Sequence, residues 1–196
     1  MQTKKRLIAI GDVVGFKNLL TDIGTSKLSS SYADLISHAK SITPRTKGMC
    51  FMVASDTILV ASARIENAEH HDRLSTFFSV VARIFIRGLE KGFPMRIGMA
   101  YGETVVRPDS GLYLGDPILR AYRMQECEER IGCALDPSCF DVPLKLPIVQ
   151  FDKSRGCWTG MVVEYDVPLK SKCSNVATRW SANRNFKRGE PCMDAA

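Results

Sequence analysis

Two short apolar runs, each ending in an aspartate, constrain this sequence more than any other feature. Residues 7–11 lead into Asp12, and residues 50–55 lead into Asp56. Because an unpaired buried carboxylate costs free energy, folding stability alone explains such a pair poorly. Two carboxylates on neighbouring strands make a site for Mg²⁺ or Mn²⁺, which take oxygen ligands and share them with substrate phosphates. The pattern predicts a site for divalent cations and chemistry on a nucleotide.

The order of the predicted elements is β-α-β-β-α-β, followed by a further helix and strands. Strand patterns lie at 6–12, 49–55, 57–63 and 95–106, and helix patterns at 14–20, 32–40, 68–89 and 116–129. Polar residues 22–31 are expected to form a loop or connection. This order is typical of the α+β, ferredoxin-like or palm βαββαβ core, an antiparallel sheet with helices packed on one face. The first strand then lies beside the hairpin, so Asp12 and Asp56 meet at one edge.

Length and composition predict one domain in a soluble, cytoplasmic protein. The 196 residues are assigned to a single catalytic domain, with a core at 6–140 and C-terminal strands and a basic tail at 141–196. No apolar stretch approaches the ~20 residues of a membrane span, and no signal peptide is recognised. The seven cysteines show no zinc-ligand spacing. All seven are expected to be reduced thiols of a cytosolic protein.

The net charge of +6 leaves the role of the C-terminal tail open. Trp180 and Phe186 are interleaved with lysines and arginines, as in proteins that bind single-stranded nucleic acid. The same composition fits a solvated arm or a dimer contact, which is the favoured interpretation. Nucleic acid is therefore not expected as a partner.

Four segments carry motifs that belong together. Residues 12–16 match an Asp-(Ile/Val)-x-Gly-Phe opening, and Ser55-Asp56 stands where a Gly-Asp hairpin turn is usual. Residues 95–103 match an Arg-Ile-Gly strand, and residues 115–124 match a Gly-x-x-Val-Asn-x-Ala-x-Arg-Leu helix in part. In their order and intervals these segments resemble the class III nucleotidyl cyclase domains.

The resemblance implies a reaction and a set of ligands. Such a domain drives the ribose 3′-oxygen of a nucleoside triphosphate onto its own α-phosphorus, and pyrophosphate leaves. Two divalent cations, Mn²⁺ or Mg²⁺, would be held by Asp12, Asp56 and the backbone carbonyl of Val13. The turn of Val14, Gly15 and Phe16 opens a helix, so its N–H groups would meet the triphosphate.

The resemblance also implies a homodimer. Arg123 corresponds to the arginine that stabilises the transition state, and a planar guanidinium suits developing phosphoryl charge. In the family this arginine comes from the partner subunit, so a head-to-tail dimer with interfacial sites is expected.

Each of these residues has a simpler explanation when it is taken alone. Asp12 could cap a helix, Asp56 could be an ordinary turn residue, and Arg123 could be a solvated charge on an amphipathic helix. The combination of the two aspartates with the helix motif favours the catalytic interpretation. Arg96, near the start of its strand, is assigned a structural role.

Three positions depart from the family pattern. Met52 and Leu112 stand where the cyclases carry the polar residues that read the purine edge. Apolar side chains cannot make those hydrogen bonds, so ATP and GTP are disfavoured. Leu119 replaces the asparagine that orients the substrate, which weakens catalysis or transfers the task to Tyr113 or Arg120.

A domain that keeps the two aspartates but lacks the residues that read the purine edge resembles the pyrimidine cyclases of bacterial Pycsar antiphage systems. That resemblance implies a cyclic UMP or cyclic CMP product, with UTP slightly favoured over CTP, and an effector protein activated by the product. The alternative is a catalytically degenerate cyclase-like domain that acts as a nucleotide-binding or dimerisation module. Binding of nucleic acid through the basic tail is a third, less favoured hypothesis.

Overall fold

The computed structural model describes residues 2–43, 48–67, 70–142, 150–152, 157–159 and 170. The helices are α1 (Phe16–Ile23), α2 (Thr25–Ile42), α3 (His71–Glu90) and α4 (Asp116–Cys127). The strands are β1 (Lys4–Val13), β2 (Cys50–Ala54), β3 (Thr57–Ala61), β4 (Met95–Arg107), β5 (Leu112–Leu114), β6 (Gly132–Leu135), β7 (Gln150–Asp152) and β8 (Cys157–Thr159). The predicted α+β class and the βαββαβ order are confirmed.

The main sheet has the strand order β2-β3-β1-β4-β5, and β6 also pairs with β4. The pairs along this order are antiparallel, whereas β6 runs parallel to the first half of β4. The long strand β4 therefore pairs with β1 along one edge, and with β6 and then β5 along the other. Strand β2 also contacts the turn at Pro108–Ser110, beyond the far end of β4, so the sheet curls strongly.

Helices cover both faces of this sheet. The larger buried cluster joins alternate residues of β1, such as Leu7 and Ala9, to α2 and α3. The smaller cluster joins Ile8 and Ile10 to Ala121 of α4 on the other face. The expectation that all helices lie on one face is wrong for α4. Because both faces of the middle of β1 are buried, its sequence from Leu7 to Ile10 is continuously apolar and does not alternate.

Helix α2 begins earlier than the sequence predicts. Residues 25–31 belong to this helix, although their serines are typical of a loop. Leu28, Leu35 and Ala39 are buried at helical spacing and anchor α2 to the larger cluster. Tertiary packing of one apolar stripe thus overrides the weak helix propensity of serine.

Two further sequence expectations concern the cysteines and the basic C-terminal tail. Cys127 is disulfide-bonded, so the expectation of seven reduced thiols is wrong at that position. Cys50, Cys133 and Cys139 are not in disulfides. The basic tail beyond residue 170 lies outside the described residues. Within the described ranges, none of the helices has the length and hydropathy needed to cross a membrane.

Candidate functional site

Strand register places Asp12 and Asp56 beside each other. Asp12 lies near the end of β1, directly opposite Thr57 of β3. Asp56 precedes Thr57 in the two-residue turn between β2 and β3. The antiparallel pairing of β1 with the hairpin therefore brings both carboxyl groups to one edge of the sheet, where sequence analysis expects them.

The ionisation of Asp12 depends on its burial and on its neighbour Asp56. Burial is the main cause that raises the pKa of Asp12, and the neighbouring Asp56 raises it further through its charge and a side-chain hydrogen bond. Arg96 and Lys170 act in the opposite direction. Two carboxylates held together in a partly buried site repel each other, and a bound cation would relieve that repulsion.

The turn that follows β1 is fixed by two backbone features. Gly15 has φ 73°, a left-handed conformation that suits glycine, and it precedes the first residue of α1. The N–H of Val14 donates to the carbonyl of Pro94 at 2.8 Å, so it is already engaged and cannot serve a phosphate. Helix α1 has no side-chain cap and no acidic residue in its first turn. Its N-terminal N–H groups suit an anion.

Phe16 has a packing role at this turn. Its ring lies 5.4 Å from that of Tyr32, which lies 5.3 Å from Phe93. The Tyr32 hydroxyl is buried and has no hydrogen-bond partner among the described residues. Burial raises the pKa of Tyr32, and the charges of Asp56 and Asp12 add to the effect. Sequence analysis missed Tyr32 because it lies in the middle of α2, far from any motif.

The candidate cation ligands are few. Val13 ends β1 with its side chain in the core, so its backbone carbonyl is the group that it could offer. Within the described ranges, no cluster of three or more His, Cys, Asp or Glu side chains could hold a metal. Two carboxylates and one carbonyl nevertheless fit Mg²⁺ or Mn²⁺, because these ions commonly complete their coordination with water and substrate phosphates. The repulsion at Asp12 supports the same fit.

Arg96 also lies at this edge, directly opposite Asp12 in the pairing of β1 with β4. Its Nη2 is 3.8 Å from Asp12 Oδ2, and its Nη1 donates to the carbonyl of Glu128 at 3.3 Å. Lys170 is anchored nearby through hydrogen bonds to the carbonyls of Glu126 and Cys127. The end of α4 and the aspartate pair are therefore neighbours, which no sequence motif indicates.

The two positions predicted to read the base, Met52 and Leu112, lie on β2 and β5, at opposite ends of the strand order. Met52 of β2 packs against the smaller cluster, on the face that α4 covers. Leu112 of β5 is half-buried and does not belong to that cluster, whereas its neighbour Tyr113 does. Curling of the sheet brings β2 towards the turn that precedes β5. Met52 and Tyr113 thus give this face an apolar lining.

Helix α4 presents Arg123 to solvent. Its buried side, which includes Ala121 and Met124, packs on β4. Leu119 and Tyr122 are 58% and 49% exposed, and Arg123 is exposed between them and the end of the helix. Two large apolar side chains beside an arginine are typical of a surface that another protein chain covers.

Comparisons with known proteins identify the fold. No family model matches the sequence, and no curated protein matches it either. Among solved structures, the adenylyl cyclase CyaB from P. aeruginosa superimposes with a TM-score of 0.61 at 12% identity, covering 86% of this chain and 92% of that one.

Two guanylyl cyclase domains superimpose on this chain with similar scores. The guanylate cyclase domain of RhGC from Catenaria anguillulae, in complex with GTP, gives a TM-score of 0.59 at 16% identity over 83% of this chain and 100% of that domain. The monomeric guanylyl cyclase domain of the RhoGC fusion protein from Blastocladiella emersonii gives 0.57 at 16% identity over 74% and 90%. At these identities the likeness shows a shared fold.

Proposed function

We propose that this chain, which has the fold of the class III nucleotidyl cyclases, converts a nucleoside triphosphate into its 3′,5′-cyclic nucleotide and pyrophosphate. The observation that carries the proposal is the meeting of Asp12 and Asp56 beside the N-terminus of α1. Fold alone would not support an activity, since one fold hosts many functions. A carboxylate pair next to an anion-binding helix end supports chemistry on a triphosphate.

The residues would divide the work as follows. Asp12, Asp56 and the Val13 carbonyl would hold two divalent cations, Mn²⁺ or Mg²⁺. When bound, such ions lower the pKa of the ribose 3′-hydroxyl and offset charge on the leaving pyrophosphate. The first N–H groups of α1 that follow Gly15 would face the phosphates. The protein would thus contribute mainly position and electrostatics.

A positive charge that stabilises the transition state would come from a second copy of the chain. Arg123 stabilises the transition state in this proposal, reaching the aspartates of the partner in a head-to-tail homodimer. Its exposure beside Leu119 and Tyr122 supports an interface on α4. Because each site would need residues of both copies, the monomer would be inactive.

The proposed substrate is a pyrimidine nucleotide, with UTP favoured over CTP. Met52, packed on an apolar cluster, offers no hydrogen bond to a purine edge, and Leu112 offers none either. We extend the proposal to a signalling role in antiphage defence, in which cyclic UMP or cyclic CMP activates a separate effector protein. Support for that role is the resemblance to Pycsar cyclases.

Incubating purified protein with each of the four nucleoside triphosphates and Mn²⁺, then identifying products by mass spectrometry, tests the proposal. We expect cyclic UMP as the main product, or cyclic CMP. Cyclic AMP as the main product would contradict the proposed specificity. Absence of a cyclic product from all four substrates would contradict the proposed activity.

The second candidate function is a degenerate cyclase-like module that binds nucleotides or dimerises without turnover. Leu119 supports it, because an exposed leucine on α4 cannot orient a substrate as asparagine does. This candidate predicts saturable binding of a nucleoside triphosphate, with unchanged nucleotide recovered after long incubation. The same four-substrate assay, combined with calorimetric binding, separates it from the enzyme.

A further inference from the structure

Arg96 of β4 makes two contacts that lead to different parts of the fold. Its Nη2 lies 3.8 Å from Asp12 Oδ2, and its Nη1 donates to the backbone carbonyl of Glu128 at 3.3 Å. The side chain is only 20% exposed. A planar guanidinium presents several donors in fixed directions, so one arginine holds both contacts at once.

The contact with the Glu128 carbonyl is made at the C-terminal end of α4. The N–H of Glu128 donates to the carbonyl of Met124 at 3.1 Å, and the carbonyls that follow Met124 have no partner within the helix. Lys170 donates to the carbonyls of the two residues before Glu128, and Arg96 donates to that of Glu128 itself. The helix dipole favours positive groups at this end. Arg96 therefore ties the end of α4 to β4.

A second contact with the same strand also holds α4. A Cβ placed on Gly98, two residues along β4 from Arg96, would lie 2.0 Å from the Ala121 carbonyl oxygen and 2.5 Å from the Gln125 nitrogen. Helix and strand backbones therefore touch at that point. Arg123 lies in the part of α4 that these contacts hold, so its position depends on how the helix is attached to β4.

We propose that Arg96 is a positioning residue for two active sites at once: it orients Asp12 for a divalent cation in its own subunit, and it fixes the helix that carries Arg123 towards the partner's site. The inference rests on the proposed function, since it concerns the same aspartates and the same head-to-tail dimer. Arg96, which sequence analysis treats as structural, then links the two sites through contacts that run from Asp12 to the end of α4.

The physical reason is the opposite effect of a cation on the two contacts of this guanidinium. A dication bound by Asp12 attracts the carboxylate and repels Arg96. The displaced guanidinium then bonds more strongly to the Glu128 carbonyl, where the negative end of the helix favours it. Loading of the cation site should therefore tighten the end of α4 in the subunit that binds the cation.

Hydrogen exchange of the full chain, measured by mass spectrometry with and without Mn²⁺, tests this link in the absence of substrate. In the wild type, saturating Mn²⁺ should slow exchange of the amides at the end of α4 about fivefold. The response should be lost in Arg96→Gln. It should also be lost in Arg96→Lys, which keeps the charge but cannot hold both contacts. If one variant does not fold, the other makes the same test.

Arg87→Gln is the matched control. Arg87 also contacts two groups, Asp34 at 3.4 Å and Glu90 at 3.1 Å, and its Nε is buried without a hydrogen-bond partner among the described residues. Its partners lie on α2 and α3, so this variant should keep the response to Mn²⁺. A wild-type chain that binds Mn²⁺ without a change at α4 would overturn the inference, and so would a response that persists without Arg96.

Mixed dimers show whether Arg96 acts on both sites. Arg96→Gln is added either to the Asp56→Ala chain or to the Arg123→Ala chain, and each double variant is mixed with the other single variant. In the first mixture the altered chain supplies only Arg123 to the intact site, so a lower kcat reports on the helix.

In the second mixture the altered chain supplies the aspartates to the intact site. A higher Mn²⁺ concentration for half-maximal activity then reports on the orientation of Asp12. We expect each effect to be about tenfold, as for other residues that orient metal ligands or catalytic groups. An effect in only one of the two mixtures would overturn the double role.

Two controls distinguish failure of the inference from failure of the proposed function. If Asp56→Ala abolishes Mn²⁺ binding, measured by the electron paramagnetic resonance signal of free Mn²⁺, and the mixture with normal Arg96 regains activity, the site and the dimer stand. The results for Arg96 then decide the inference alone. If Mn²⁺ binding does not depend on Asp56, or if that mixture stays inactive, the proposed function is wrong and the inference falls with it.

Discussion

At the scale of single residues, the candidate site holds carboxyl groups whose ionised form is disfavoured by burial. Asp12 and Asp56 share one sheet edge, and Glu128 is a carboxyl shielded from solvent close to Arg96. For both Asp12 and Glu128, burial is the main cause of a raised pKa. Residues of this kind reduce stability in the absence of a ligand, and functional sites commonly show that cost.

Removing the Asp12 charge should stabilise the metal-free protein. Because its pKa is raised above the ordinary value, the stability that Asp12 contributes is present below that value and is lost as pH rises through the folded-state pKa. Asp12→Asn should therefore raise the melting temperature at about pH 8 in the presence of a chelator, and should lower cyclase activity about a hundredfold or more.

Asp34→Asn is the matched control for that prediction. Asp34 is exposed, and a hydrogen bond with Lys91 is the main cause that lowers its pKa. Because the pKa of Asp34 is lowered, its ionised form stabilises the folded protein at this pH, in contrast to Asp12. Asp34→Asn should therefore not raise the melting temperature at the same pH, and activity should be retained. A lower melting temperature of Asp12→Asn than of Asp34→Asn would contradict the electrostatic account.

Glu128 gives a second pH-dependent prediction. With a pKa of about 7, it loses its favourable contribution as pH rises through that value. Glu128→Gln should raise the free energy of unfolding by about 1–3 kcal/mol at about pH 8. The difference should disappear as pH falls towards the ordinary pKa of glutamate. Urea denaturation at several pH values measures it, and a pH-independent difference would contradict the assignment.

At the scale of elements, the contact of α4 with β4 decides where Arg123 lies. A Cβ placed on Gly98 of β4 would come within 2.0 Å of the Ala121 carbonyl oxygen and 2.5 Å of the Gln125 nitrogen. Helix and strand therefore meet backbone to backbone. Any larger residue at position 98 must push α4 away from the sheet, and Arg123 would move with it.

Gly98→Ala should consequently destabilise the protein by about 3 kcal/mol or more and remove activity. Gly11→Ala in β1 is the control, since its Cβ would meet flexible Ile97 side-chain atoms at 3.1 Å and 3.6 Å and one backbone oxygen at 3.9 Å. We expect it to cost less than about 1 kcal/mol. Urea denaturation curves of the two variants make the comparison, and equal losses would contradict the close packing of α4.

At the scale of the whole molecule, the curled sheet carries two half-sites. One is the aspartate edge at the end of β1, and the other is the exposed face of α4 that holds Leu119, Tyr122 and Arg123. The proposed head-to-tail dimer would join the first half-site of each copy to the second half-site of its partner.

Mixing inactive variants tests this arrangement. Asp56→Ala and Arg123→Ala damage different half-sites, so each mixed dimer would contain one intact site of two. Because about half of the dimers in an equal mixture are mixed, about a quarter of wild-type activity should return. Asp12→Asn mixed with Asp56→Ala should stay inactive, because both lesions lie in the same half. Product formation by mass spectrometry measures the recovery. Activity that does not return in the first mixture would contradict an interfacial site.

Local sequence patterns determined most of the elements and the order of the fold. The hairpin around Asp56 and the strand that ends beside Asp12 are both specified by apolar runs and turn residues close in sequence. Strand β5 and the N-terminal half of α2 were not predicted, because a three-residue strand gives little periodicity and α2 depends on Leu28 packing into the core.

Contacts between distant segments decided the rest. Helix α4 covers the second face of the sheet because its backbone can approach Gly98 of β4 closely. The hydrophobic periodicity of the sequence does not indicate this contact. The neighbourhood of Asp12 is likewise a product of strand register, which puts Arg96 opposite Asp12 and the end of α4 beside Arg96. The sequence alone determined which side chains can carry charge and which runs form strands. Tertiary structure decided which charges meet and which lose their water, because electrostatic energies depend on distance and burial.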